Sequence, residues 1–249
     1  MSTRCTKSTR WAAGRMPAPA EAPLVSVVMP AFDEEAYIAE AIESVFAQTY
    51  SALELIVVDD GSADRTAAVA ARFPGVQVVR RRSRGGPAAA RNAGLEVAHG
   101  AYWTIFDADD VMPRDRLALQ VGFLEAHPSL GMVLGLTEAF VTAGDATPPH
   151  WNPAWDEGPF PAGASTTLAR RRVFDLVGPY DERMKVSGDV DWLARAKDAG
   201  VVAGRVDEVC LHRRIHSGSV SANHDAVNVA LLQVLRRSLQ RRRAQSAAE

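Results

Sequence analysis

Apolar and polar residues along this chain fall into repeating blocks. Leu24 to Pro30 (LVSVVMP) is a short apolar run and predicts a buried strand. A polar loop follows, Ala31-Phe32-Asp33-Glu34-Glu35. Ala36 to Gln48 then places Ile38, Ile42, Val45 and Phe46 at helical spacing. Asp33 is positioned to cap that helix, and Glu34 and Glu35 suit its positive end. The cycle repeats. Leu53 to Val58 (LELIVV) predicts a second strand, ending in Asp59-Asp60-Gly61-Ser62, and Ala63 to Phe73 a helix. Val76 to Val79 predicts a third strand, and Gly85-Gly86-Pro87 opens a helix through Val97 that contains Arg91 and Asn92. Tyr102 to Phe106, aromatic and β-branched, predicts a fourth strand. It runs directly into Asp107-Ala108-Asp109-Asp110.

Strands and helices alternating over short connections imply an α/β fold with a doubly wound, mostly parallel sheet. Ligands of such sheets bind outside the carboxyl ends of the strands. The acidic clusters AFDEE, DDGS and DADD all lie there, and chance solvation explains three on one edge poorly. The last is the most demanding, because three neighbouring carboxylates repel one another. A divalent cation, Mg²⁺ or Mn²⁺, supplies the missing charge, since hard cations take oxygen ligands. Asp107 and Asp109 project the same way if the backbone stays extended. Otherwise the turn converges them. The plainer reading is an acidic turn before a helix near Pro113.

The second half is less regular. Pro113 to Ala126 is helical, and Gly131 to Thr142 reads as a strand. Gly144 to Gly163, rich in Pro and Gly and carrying Trp151 and Trp155, reads as a long irregular loop; its aromatic faces suit a ligand pocket or a satellite core. Ala164 to Ala169 reads as a short strand, Arg170 to Val177 as a short helix, and Ser187-Gly188-Asp189-Val190-Asp191-Trp192 as the start of a helix to Ala199. Val201 to Ile215 reads as a strand, Ser217 to Asn223 as a small-residue loop, and Ala226 to Gln240 as a closing helix with a basic end. The expected organisation is a disordered lead over 1–23 and one domain over 24–223. That domain divides into a first half (24–112), which carries the acidic strand ends, and a less regular second half (113–223). A C-terminal helix with a basic tail occupies 224–249.

Composition narrows the classes. The chain has 249 residues, 47% hydrophobic and 23% charged, which is ordinary for a globular protein. A net charge of −2 gives no field that argues for nucleic acid. Cys5 and Cys210 lie far apart and provide neither a disulfide framework nor a CxxC site, in keeping with a reducing cytoplasm. No apolar run is long enough to span a bilayer, so a membrane-bound substrate would be met at the surface. The first βα turn lacks GxGxxG, and its acidic, bulky residues would repel a pyrophosphate, which excludes a Rossmann-type oxidoreductase.

Four segments, VSVVMPAFDEEAYIAEAIESVFAQTY, ELIVVDDGSADRT, GGPAAARNAGLEVAHGAYWTIFDADD and SGDVDWLARAKDAG, in this order and spacing, carry a resemblance. The chain resembles a family-2 glycosyltransferase of the GT-A fold over about Leu24 to Ser221. The resemblance implies an inverting enzyme with a nucleotide-sugar donor, usually a UDP-sugar, and a divalent metal. Pro30, Ala31, Asp33 and Glu35 would border the nucleoside, although the family usually has Asn where this chain has Asp33. Asp59 and Asp60 would meet the uracil base, whose N3–H a carboxylate can accept. Arg91 would hold the donor near the diphosphate. Asp107, Ala108 and Asp109 form the DXD motif, with Asp109 on the metal and Asp107 on ribose or metal. Arg214 and His216 fit an Arg-x-His segment that folds over the diphosphate, with His216, or alternatively His212, as a further metal ligand. A basic sheet edge is the plain alternative.

An inverting transfer needs one base. Asp189 aligns with the second residue of the family's Glu-Asp pair, while Gly188 stands where the family has Glu. Asp191 is the rival, and both could simply cap the helix. The retained motifs favour an enzyme; Gly188 favours a catalytically impaired nucleotide-sugar-binding protein on the same fold. The chain lacks the QxxRW motif of processive synthases: its closest string is Gln233-Val234-Leu235-Arg236-Arg237. Transfer of one sugar at a time is therefore expected. The acceptor stays open among glycan, lipid-linked, peptide and small-molecule hydroxyls. The basic C-terminal helix, with Val227, Leu231 and Leu235 on a face, could touch anionic lipid at the inner membrane face or be a solvated tail.

Overall fold

The computed structural model describes residues 22–143, 151–152, 154, 158–161, 164–216 and 224–246. Trp155, the lead before residue 22 and the 217–223 loop lie outside them. Strands β1 (Val25–Ala31), β2 (Leu53–Asp59), β3 (Val76–Arg80) and β4 (Tyr102–Ile105) alternate with helices α1 (Ile38–Phe46), α2 (Thr66–Ala70) and α3 (Pro87–Glu96). They pair in parallel, in the order β3-β2-β1-β4. Then come α4 (Arg116–Ala126), β5 (Met132–Phe140), β6 (Phe160–Pro161), a 3-10 turn at Ala164–Thr166, β7 (Leu168–Arg170) and α5 (Arg171–Val177). The described chain closes with α6 (Gly188–Asp198), β8 (Ala203–Arg214) and α7 (His224–Ser246). Beyond β4 the sheet continues through β7 and β5 by antiparallel pairing, while β8 runs parallel to β5.

Side chains of β1 alternate between two cores, as the pleat requires. Val25, Val27, Met29 and Ala31 face the cluster built with α1 (Ile38, Ile42, Val45) and α4 (Leu117, Val121, Leu124). Val28 faces the opposite layer with Ile56, Val58, Trp103 and residues of α3, α5 and α6. Trp103 meets Trp192 edge-on at 5.1 Å, fastening α6 to the sheet. α3 approaches β1 and β2 closely because it carries Gly94: a Cβ there would lie 2.4 Å from Val28 Cγ1 and 3.0 Å from Val58 Cγ2. Pro30 is tolerated in a central strand because β1 pairs with β4 only as far as Val28.

Under the end of β4 lies a buried arginine. Arg116 donates to Gln120 Oε1 at 3.1 Å, Thr104 Oγ1 at 2.8 Å and the Ser165 carbonyl at 2.9 Å. Its Nη1 is buried without a hydrogen-bond partner. Burial lowers its pKa to about 10, against the pull of Cys210, Asp110 and Asp107.

Four local expectations need correction. Asp33 does not cap α1. Its backbone takes φ 54, its Oδ1 accepts Ala63 N–H at 2.8 Å, and α1 starts without a side-chain cap. Competing bonds from the loop after β2 remove it from the helix end. The 164–169 strand divides into the 3-10 turn and β7. The 144–163 stretch is not wholly irregular, because Phe160–Pro161 pairs with β5. The closing helix is longer than 226–240, held along its inner side by α6.

Candidate active site

The carboxyl ends of β1, β2 and β4 lie side by side, with Ala31 paired to Asp59 and Val28 to Ile105. The loop after β1 is tied to the loop after β2. Asp33 N–H donates to Ser62 Oγ at 3.0 Å, and Glu35 accepts Arg65 Nη2 at 2.6 Å. The Arg65 hydrogen bonds hold Glu35 below the usual carboxylate range. Asp59 is fully buried. It accepts Ser62 N–H at 3.0 Å and Arg80 Nε at 3.2 Å. Asp60 accepts Gly86 N–H at 2.7 Å, Gly85 N–H at 3.0 Å and the Arg81 guanidinium. Asp59 thus braces the loop after β2, and Asp60 sets the start of α3, where Gly86 takes φ 97.

Arg91, on α3, lies 3.6 Å from Asp107 and over the Tyr180 ring at 5.6 Å. Burial opposes its charge, but Asp107 and Asp189 outweigh burial and raise its pKa. Asp107 has its pKa raised by burial above all, with Asp109 and Asp189 adding to it and Arg91 opposing. Ala108 is buried. Asp109 pairs with His216 Nε2 at 3.1 Å, and this bond raises the histidine pKa against burial. Asp110 turns inward, accepts Arg214 N–H at 2.9 Å and is pushed well above the carboxylate range by burial and by its acidic neighbours.

Glu34 is a member of this group that sequence reasoning placed only at a helix end. Burial, followed by Asp109, raises it to about 7, with His216 opposing. Its closeness to the DADD turn is tertiary, and no local signal announces it.

The structure separates several paired candidates. Asp189, in the first turn of α6, lies within electrostatic reach of Arg91 and Asp107. Among the described residues its carboxylate accepts no hydrogen bond. Asp191 is buried, accepts Arg195 Nε at 2.9 Å and lies 3.9 Å from Arg237. Two residues along a helix turn about 200°, so the pair cannot share one face. Asp191 thus sits in an ion-paired position, away from the cluster. Neither residue caps α6; the N-cap is Ser187, without a side-chain bond. His212 is likewise set apart, 3.0 Å from Glu138, whereas His216 reaches Asp109. Every nitrogen of the Arg214 guanidinium bonds the protein: Nε donates to the Asp109 carbonyl at 2.8 Å, Nη2 to Glu40 at 2.5 Å and Nη1 to Thr142. It holds the acidic turn from behind.

A parallel β-α-β unit extended by antiparallel strands, with an acidic turn closing its fourth strand, defines a GT-A glycosyltransferase fold. Solved structures share it. A mannosyltransferase from Pyrobaculum calidifontis, in complex with GDP-Man and Mn²⁺, superposes with a TM-score of 0.71 at 22% identity, covering 90% of this chain and 66% of that one. S. aureus TarS 1-349 in complex with UDP-GlcNAc gives 0.65 at 20% identity, covering 80% of this chain and 60% of that one. The glycosyl transferase family 2 model matches residues 26–175, and the chain belongs to that family. The uncharacterized protein y4gI of Sinorhizobium fredii is 33% identical over 184 residues, which are 70% of this chain and 20% of that protein. An uncharacterized glycosyltransferase of Haemophilus influenzae is 39% identical over 106 residues, 41% of this chain and 42% of that protein. The chain thus spans well under half the length of these two relatives. The Escherichia coli protein WfaP, named as a UDP-Glc:alpha-D-GlcNAc-diphosphoundecaprenol beta-1,3-glucosyltransferase, is 28% identical over 206 residues, 80% of each chain.

Proposed function

We propose that this chain moves one sugar from a nucleoside diphosphate sugar, with UDP as the nucleotide, to an acceptor hydroxyl, inverting the anomeric carbon. One observation supports this most. Asp189 is delivered by a distant helix to the same cluster as Arg91 and Asp107, so a candidate base stands beside a candidate diphosphate site.

Among the described residues, no three His, Cys, Asp or Glu side chains form a complete metal cage. A Mg²⁺ or Mn²⁺ ion held by one or two carboxylates and by substrate phosphates needs none. The donor set suits such an ion: Asp107 and Asp109 are hard oxygen donors from one turn, within electrostatic reach of each other. Asp107 and Asp109, with His216 beside them, would hold it. When bound, the ion neutralises charge developing on the diphosphate.

The chain's own residues do the rest. Arg91 adds a fixed cation at the diphosphate. Pro30, Ala31, Asp33 and Glu35 border the nucleoside, together with Asp59 and Asp60. The acceptor oxygen attacks the anomeric carbon, the bond to the diphosphate oxygen breaks, and Asp189 takes the hydroxyl proton. The acceptor class is a hydroxyl, glycan- or lipid-linked, met in a cytoplasmic setting. The 24–112 half serves the donor and the 113–223 half the acceptor.

Gly188 supports a second reading, a binding protein with impaired catalysis. A Cβ there would meet nothing closer than 3.8 Å, so packing does not demand glycine where the family carries Glu. The test is calorimetry with UDP, GDP and dTDP, with and without Mn²⁺, followed by transfer assays. Asp189→Asn should lower turnover at least ~100-fold while nucleotide affinity stays unchanged. Nucleotide binding with no transfer to any acceptor, by the native chain, would favour the second reading.

A further inference from the structure

Helix α7 has one packed side and one exposed side. On its inner side, Ala230 and Val234 pack with Met184 and against Val186, Val190 and Ala194 of the α6 region. Arg237 reaches Asp181 at 3.0 Å, and Ser238 and Arg241 reach Asp198 at 2.9 and 2.8 Å. The outer side carries Val229, Leu232, Leu235 and Leu239, which are 57%, 57%, 61% and 55% exposed. Their spacings of three, three and four residues make one stripe. Arg236 and Arg243, also exposed, are seven residues apart and fall on this same face, between the angular positions of Leu232 and Val229, where their long stems can carry the charge outward. From Ala226 to Ser246 the helix has no acidic residue.

We propose that this outer face of α7 docks on an anionic lipid bilayer, lying in the plane of the interface with the four apolar side chains inserted and the arginines at the headgroups. A solvated tail has no need of four large apolar side chains in register. No described helix is long and apolar enough to cross a membrane. Charge decides against a second copy of the chain. A self-complementary helix pair would bring arginines of one sign together, where paired helices use opposite charges. Anionic headgroups complement the same arginines. Because α7 lies on α6, docking keeps the helix that carries Asp189 one layer from the bilayer.

The experiment is co-sedimentation of the full chain with phosphatidylcholine vesicles, with and without phosphatidylglycerol, at low and high salt. Binding is expected only with phosphatidylglycerol and should weaken in high salt. Arg236→Gln with Arg243→Gln should weaken it roughly 25-fold, about fivefold for each charge. Leu232→Ser, Leu235→Ser and Leu239→Ser together should weaken it by about tenfold or more. These side chains are exposed, so the melting temperature and nucleotide affinity of both variants should match the native chain. Unchanged nucleotide binding beside lost vesicle binding separates this surface from the donor site. Failure to sediment with phosphatidylglycerol vesicles at low salt would overturn the proposal. So would binding that the triple serine variant leaves intact, or a dimer in light scattering that the same variant dissolves.

Discussion

Arg214→Met distinguishes a residue that holds the acidic turn from one that holds the donor. Arg214 is buried, and its guanidinium joins β8 to the Asp109 carbonyl, to Glu40 on α1 and to Thr142. It also lies 5.0 Å from the Tyr37 ring and 4.6 Å from the Phe140 ring. Methionine keeps most of the stem and removes every donor. Leaving the Asp109 carbonyl without its partner costs about 1–3 kcal/mol. Glu40 is 58% exposed and returns to water, so its pair contributes ~1 kcal/mol or less. Each ring contact adds about 0.5–1 kcal/mol. A loss of roughly 3 kcal/mol is expected, which for a chain of this size lowers the melting temperature by about 6–12 °C. Differential scanning fluorimetry without nucleotide reads this directly. Arg214→Lys should fall in between, since it keeps the charge and loses the planar fork. If Arg214→Met melts like the native chain while nucleotide affinity drops, the guanidinium acts on the donor and the scaffold argument is wrong.

Three further outcomes follow from the packing and charge. Gly94→Ala should destabilise by about 1–3 kcal/mol in urea titration, because the new methyl overlaps Val28; adding Val28→Ala should recover part of that loss, and a purely additive double variant would refute the contact. Asp181 is held far below the usual carboxylate range by the Arg183 hydrogen bond first, with Arg237 helping. Its folded pKa is depressed, so its contribution is complete above the unfolded value of about 3.9 and is lost as pH falls below it. Asp181→Asn should therefore flatten the acid limb of melting temperature against pH, and an unchanged limb would sink the assignment. Burial raises the Cys210 thiol to about 11, so iodoacetamide at neutral pH should label it only after denaturant is added; rapid native labelling would contradict its burial.

The parallel half of the fold was legible in the sequence for a physical reason. Strands buried on both faces must be continuous apolar runs, and VSVVM and LIVV have no polar alternation to confuse them with surface strands. The acidic clusters were legible because ligand sites in such sheets follow the strand ends. The antiparallel extension was not. β7 inserts between β4 and β5, and pairing between strands distant in sequence leaves no local period. Asp33 misled because a cap is a local preference, and bonds to Ser62 and Ala63 from another loop outcompete it. The choice between Asp189 and Asp191 had a readable signal: Arg195 stands four residues after Asp191, whereas Leu193 stands four after Asp189. Spacing of that kind marks the ion-paired member of the two. Glu34 offered no such mark, because its neighbours Asp109 and His216 lie far along the chain from it and from each other.

Arg116 gives the acidic turn a permanent counter-ion of its own. Glu34, Asp107, Asp109 and Asp110 concentrate negative charge at this strand end, where Arg91 and His216 oppose it from the side and Arg116 from beneath. A guanidinium sealed beneath β4, within the field of Asp107 and Asp110, remains charged throughout the physiological range. Its fork also fixes the 3-10 turn whose Ser165 hydroxyl lies 3.4 Å from Asp107. The end of β4 and the 3-10 turn beside it are thereby fastened to one buried cation. Exchanging Arg116 for an apolar residue of equal volume would untie β4 from α4 and from the 3-10 turn in one step.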